Sequence, residues 1–234
     1  MDWTSFSLSD PLLWGKLAEI ILLNVVLSGD NAVVIALACR ALAPEQRTKG
    51  IALGAAVAVV LRIAFTVVIA SLLSMPFLRI VGAVLLVWIA VKLLIEDGEA
   101  DEDAIAASSK LWKAVQTVAI ADIVMSLDNV LAIAGVARDS MPLLIAGLVI
   151  SIPLIVVGAS LITNLLTRFP VLVWAGAALL GWVAGEMLDS DPWLVGRFGE
   201  DLLHKLEYPA AILGALLVVG LGYLIKSRRP GPAH

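Results

Sequence analysis

The stretch "SGDNAVVIALACR", residues 28–40, sets an aspartate and an asparagine inside an otherwise apolar run, and residues 126–138 repeat the arrangement as "SLDNVLAIAGVAR". At an offset of 98 residues Ser28 meets Ser126, Asp30 meets Asp128 and Asn31 meets Asn129. Ile35, Ala36 and Arg40 then meet Ile133, Ala134 and Arg138. A second echo lies further along the chain, where "VGAVLLVWIAVKLL" (81–94) falls over "AGAALLGWVAGEML" (175–188) at an offset of 94. There Gly82, Ala83, Leu85, Leu86, Trp88, Ala90 and Leu94 have identical partners. Two matches in the same order define a long internal repeat. Between them the second segments of the two copies align more loosely, with a longer loop in the first copy around "APEQRTKG" (43–50).

The solvent for this repeat is lipid. Of 234 residues 61% are apolar and only 15% charged, with a mean hydropathy of +1.00, a composition that excludes an ordinary soluble domain. Seven apolar segments approach the roughly 20 residues that a spanning helix needs. They are Leu12–Cys39, Ile51–Leu73, Phe77–Ile95, Leu111–Ala137, Leu143–Leu166, Val171–Leu188 and Pro209–Ile225. Backbone polar groups must be satisfied within the bilayer, so the expected fold is all-α, a multi-pass helical bundle. No cleavable signal peptide is expected: residues 1–8 carry Asp2 and no basic residue. Cys39 is the single cysteine, so no intrachain disulfide can form.

Three crossings per copy is an odd number, so the second copy enters the membrane inverted. Inverted repeats are characteristic of secondary transporters, whose site lies near the midplane where the copies meet. The expected organisation is a first three-helix repeat (1–98), an acidic cytoplasmic linker (99–110), a second, inverted repeat (111–188), a surface amphipathic segment (189–208), and an accessory seventh helix with a basic tail (209–234). The surface segment is read from Leu194, Phe198, Leu202 and Leu206, spaced four apart. With the N-terminus outside, ten Lys and Arg face the cytoplasm (Arg40, Arg47, Lys49, Lys92, Lys110, Lys113, Arg168, Lys226, Arg228, Arg229). Five face outward (Lys16, Arg79, Arg138, Arg197, Lys205), and Arg62 lies within the second helix. The bias predicts N-out and C-in.

Polar residues inside the spans are the candidate site. Asn24, Ser28 and Asn31 share one helical face at i, i+4 and i+7, and Asp122, Ser126 and Asn129 do so at the matching positions. Asp30 and Asp128 precede the two asparagines by one residue, about 100° round a regular helix. Unwinding at "SGDN" or "SLDN" would swing them onto that face; Gly29 favours it in the first copy, whereas Leu127 does not in the second. A mid-helix Asp costs roughly 2.5–3.5 kcal/mol to insert. Asp30, Asp122 and Asp128 together therefore cost about 8–10 kcal/mol, which a bound cation, a basic partner, protonation or a water-filled cavity must offset. Two structural readings compete: interhelical hydrogen-bonding by the Asp-Asn pairs, and a buried pair of Asp122 with Arg62. Arg62 would alternatively be a counter-ion that holds the acids when the site is empty.

Carboxylates, amide carbonyls and hydroxyls suit Mn2+, Mg2+ or Ca2+. With no intramembrane histidine, zinc and copper lack their usual ligands. Met125, one turn before Asp128 and Asn129, would add a thioether that favours Mn2+, or serve only as core filler. Glu186, opposite Lys92 in the repeat alignment, is a candidate peripheral ion or proton site. "GWVAG" (181–185) and Gly54 with Ala58 read as close-packing faces, and Pro153 as a kink in the fifth helix.

"SGDNAVVIALACR" and "DIVMSLDNVLAIAGVA", with "LRIAF" in the second helix, resemble the TerC family of bacterial integral membrane proteins along nearly the whole chain. The resemblance implies manganese efflux in metal homeostasis, a fold related to the lysine-exporter superfamily, and a place in the bacterial inner (cell) membrane. Carried over by position, the metal site would be Asp30 with Asn31 and Asp128 with Asn129, with Asp122 beside them. Asn24 standing where the second copy has Asp122 makes that site asymmetric. The expectation is a non-enzymatic exporter of a divalent cation, most of all Mn2+, by alternating access, with protons as the counter-ion. No Walker A loop suggests ATP coupling, and neither an organic cofactor nor nucleic acid is an expected partner. The oligomeric state is open, a homodimer included. The rival reading is a non-transporting membrane scaffold that binds metal or partner proteins.

Overall fold

In a computed structural model the chain is described at residues 14–15, 17–18, 20–22, 28–72, 75–95, 104–136 and 141–228. Every regular element among these residues is a helix. They are α1 (Gly29–Arg40), α2 (Pro44–Leu72), α3 (Leu78–Ile95), α4 (Ala104–Val136), α5 (Met141–Arg168), α6 (Val171–Glu186), α7 (Pro192–Phe198) and α8 (Glu200–Arg228). Four stretches among the described residues are long and apolar enough to cross a membrane: Pro44–Phe65, Leu78–Ile95, Ile145–Arg168 and Glu200–Arg228. Parts of the first and fourth expected spans fall outside the described residues. Pro153 lies inside α5.

Helix ends depart from the expected loops for a local reason. The "APEQRTKG" loop is the first turns of α2, with Pro44 at the opening position and the Ala43 carbonyl accepting from Gln46 and Arg47. The linker expected at 99–110 is helical from Ala104 onward. Polar residues at these ends are good helix formers outside the hydrocarbon, where polarity does not stop a helix. The surface segment is not one amphipathic helix. It breaks at Gly199, whose φ of 82° only glycine adopts without strain, into α7 and α8. Helix α8 then runs through Pro209, so the part of the surface segment after Gly199 is continuous with the expected last span.

The core is aliphatic. Ile35, Leu37, Leu86, Ile89, Leu94, Leu148 and Leu180 are fully buried, while Val84, Leu161, Leu213 and Leu216 remain exposed on outward faces. An apolar exterior over an apolar core is what a bundle in lipid presents. Helix α1 packs on α4 and α5, α2 on α4 and α5, and α3 on α4 and α6; α8 lies against α6 and α3. The α6–α8 contact is close because "GWVAG" faces it. A Cβ on Gly181 would run into the Gly214 carbonyl, and one on Gly185 into the Ala210 carbonyl. Gly54 of α2 faces α4, where a Cβ would meet Val118 at 3.4 Å, and Ala58 is buried. Both glycine faces read from the sequence are packing faces.

Candidate functional site

The first Asp-Asn motif opens a helix. Ser28 has φ −106° and ψ 5°, outside the helical pattern, and α1 starts at Gly29 with Asp30 in its first turn. A carboxylate there meets the positive end of the helix dipole, and Asp30 Oδ1 accepts from the Asn31 backbone N–H at 2.8 Å. The second motif is different: α4 continues as helix through residues 126–129. Gly29 against Leu127 is the sequence difference that tracks this. The side chains of Asp128 and Asn129, and all of Asn24, lie outside the described residues.

Beneath the first motif sits a buried polar cluster. Arg62 on α2 donates from Nη1 to Ser28 Oγ at 2.8 Å and from Nη2 to Asp122 Oδ1 on α4 at 3.0 Å. Ser126 donates to the other oxygen, Asp122 Oδ2, at 3.1 Å. Arg62 and Asp122 are each 2% exposed, so the pair is buried and each charge faces its opposite within the bundle. Asp122, expected beside Asp30 at the metal site, has both its oxygens engaged by side chains that satisfy a buried carboxylate. Ser28 and Ser126 are hydrogen-bonding members of this cluster. Asn31, 4% exposed, finds no hydrogen-bond partner among the described residues for either its side-chain oxygen or its nitrogen. An orphaned amide at this depth costs about 1–3 kcal/mol.

Asp30 itself is partly buried and borders a cavity of about 310 Å³, lined also by Met125, Val183, Glu186, Met187, Asp189, Ser190 and Glu207. Sequence reasoning named Asp30, Met125 and Glu186, and the fold brings these three together. Helix α6 explains the cavity's position. Its 16 residues rise only about 24 Å, short of the ~30 Å hydrocarbon core, and the cavity lies at its Glu186 end. Trp182, one turn back, donates its indole N–H to Glu186 Oε1 at 2.5 Å. Four carboxylates line one space (Asp30, Glu186, Asp189 and Glu207), and none of the residues described as lining it is basic. Arg62 is within electrostatic reach of both Asp30 and Asp122.

Asp189, Ser190 and Glu207 were missed because they stand in polar surroundings, where an acid is ordinary. So was Asp191, which is fully buried. Its carboxylate caps α7 by accepting from Trp193 N–H at 3.0 Å, and it also accepts from the Phe77 and Arg79 backbone N–H groups at 3.3 and 3.2 Å. Arg79 in turn donates to the Ser190 carbonyl. Phe77, at φ 67°, stacks on Trp193 with ring centroids 5.0 Å apart. The available signal was "DP" before an apolar run, an N-cap followed by Pro at the first helical position.

A lipid-exposed helical bundle with charged groups sealed inside it and an acid-lined cavity defines an integral membrane protein with an intramembrane polar site. The chain belongs to the TerC family: the family described as "Integral membrane protein TerC family" matches residues 9–230. It is 42% identical over 206 residues to the uncharacterized membrane protein YjbE of Bacillus subtilis (strain 168), covering 86% of this chain and 94% of that one. To YceF of the same organism it is 26% identical over 238 residues, covering 97% and 90%. It is 27% identical over 184 residues to the UPF0053 inner membrane protein YoaE of Escherichia coli (strain K12), covering 71% of this chain and 35% of that protein. No solved structure matches.

Proposed function

We propose that this protein exports a divalent metal cation, most of all Mn2+, across the bacterial cell membrane by alternating access of two inverted three-helix halves. The observation that carries the reading is Asp30. It is an acid on the first turn of a helix that starts within an apolar segment, and it borders a cavity with three further carboxylates and a methionine. Carboxylate oxygens with a thioether nearby suit a hard to borderline divalent ion. Asn31, whose side-chain carbonyl has no partner among the described residues, is the neutral ligand beside it; Asp128 and Asn129 are assigned the same role from the repeat.

The two-halves reading has support in how the helices pair. Exchanging α1 with α4, α2 with α5 and α3 with α6 turns the α1–α5 contact into the α4–α2 contact. It leaves α1–α4, α2–α5 and α3–α6 unchanged, and all of these contacts exist. Arg62 fits the counter-ion role: it neutralises Asp122 and leaves Asp30 to the cargo. Protons are the simplest exchange ion for such carboxylates.

Flux decides it. Proteoliposomes holding the purified protein should accumulate or release Mn2+ down an imposed gradient, and Asp30→Ala should abolish this at an unchanged melting temperature. Flux that survives Asp30→Ala overturns the site. No flux in the wild type favours the scaffold reading.

A further inference from the structure

We propose that Asp189, His204 and Glu207 form a second, peripheral metal site on the rim of the Asp30 cavity. It takes a first-row transition ion in preference to Mg2+ or Ca2+. Asp189 lies in the turn after α6, and His204 and Glu207 lie one turn apart on α8, so two elements supply the donors. One ligand atom from each converges within 4.8 Å of the others. Donors about 2.0–2.2 Å from a common ion are at most about 4.4 Å apart. The triad therefore closes on an ion with side-chain adjustments of a few tenths of an ångström.

His204 and Glu207 also form a simple pair, Nδ1 to Oε2 at 3.2 Å. An i, i+3 surface pair of that kind accounts for two of the donors, but not for Asp189 converging from a different element. Asp189 and Glu207 both line the cavity with Asp30 and Glu186, and no described lining residue is basic. That concentration of negative charge repels itself unless a cation sits within it. The imidazole sets the selectivity: oxygen-only sites suit Mg2+, Ca2+ and Mn2+ alike, whereas a nitrogen ligand favours transition ions. Because Asp189 and Glu207 of the triad line the same cavity as Asp30, the rim site stations a selected ion beside the transport acid. This assignment of cargo rests on the export reading; the site's existence does not.

His204 is 80% exposed by side chain, so His204→Ala leaves the fold intact and makes a clean test. Mn2+ is titrated into the full-length protein in detergent, with and without excess Mg2+, and followed by electron paramagnetic resonance. The wild type should hold one Mn2+ that Mg2+ does not displace, with a nitrogen coupling in its pulsed spectrum. His204→Ala should lose that coupling and weaken this ion on the order of tenfold or more, while Asp30→Asn keeps both. A wild type without the nitrogen-coupled ion, or a His204→Ala protein that retains it, overturns the proposal. If proteoliposomes show no Mn2+ flux while His204→Ala still removes the coupled ion, the export reading fails and the rim site stands.

Discussion

Arg62 and Asp122 hold opposite charges 3.0 Å apart, with side chains only 3% and 2% exposed. Each makes the other tolerable. Removing one partner strands a buried charge, at about 3–5 kcal/mol, whereas replacing both with apolar residues of similar volume is often close to neutral. Arg62→Met and Asp122→Leu should therefore each lower the melting temperature of the detergent-solubilised protein sharply, and the double variant should regain most of the loss. Equal and additive losses would mean that the pair is not the unit of stability. Arg62→Lys should rescue only partly, because a single ammonium cannot reproduce the fork that reaches Ser28 and Asp122 together. At this scale an ionisable group that interrupts an apolar run stands out in the sequence, as Asp30, Arg62, Asp122 and Glu186 do. The sequence was silent about Asp189, His204 and Glu207. Their significance comes from tertiary convergence, and each by itself is an ordinary surface residue.

Helices were legible from apolar length, but their ends were not, because helix propensity continues past the hydrocarbon into residues that read as loops. Pro44–Gly50 and Ala104–Ser109 are examples. The break at Gly199 was hidden for the opposite reason, since the four-residue spacing of Leu194, Phe198, Leu202 and Leu206 runs straight across it. Contacts between elements, by contrast, follow from small residues. Gly185→Ala would press a methyl onto the Ala210 backbone, which cannot step aside as a flexible side chain would. It should destabilise the α6–α8 pairing by about 1–3 kcal/mol, read as a lower unfolding midpoint. Gly158→Ala on α5 meets nothing within 4 Å and should be neutral or raise stability by about 0.5–1 kcal/mol. Similar losses at both sites would show that helix propensity, not interhelical contact, governs these glycines. Asp191 ties the turn before α3 to the start of α7. Asp191→Ala should cost more than the about 0.5–2 kcal/mol of a lost cap, since two further backbone donors lose their acceptor. Asp191→Asn, which keeps one acceptor oxygen, should cost less.

At the scale of the whole molecule, the side that the Asp30 cavity faces decides from which compartment an ion would reach it. Helix α8 has 29 residues and rises about 43 Å, enough to cross the ~30 Å core with both ends in water. Lys205 and Ser227, near its two ends and both exposed, are then on opposite sides. The cavity belongs with the Lys205 end, because Glu207 lines it. The excess of Lys and Arg assigned to the other side predicts that this end is the outer one. Cys39 is the single cysteine and is buried, so a Cys39→Ala background allows one reporter thiol at a time. On intact cells a membrane-impermeant maleimide should label Lys205→Cys and Ser190→Cys, and should reach Ser227→Cys only after the cells are opened. The reverse pattern would invert the topology. The cavity would then be the entry from the cytoplasm, and the rim triad a capture site for ions about to leave the cell. Labelling of Lys205→Cys and Ser227→Cys from the same side would mean that α8 does not cross, and would remove the accessory span from the bundle.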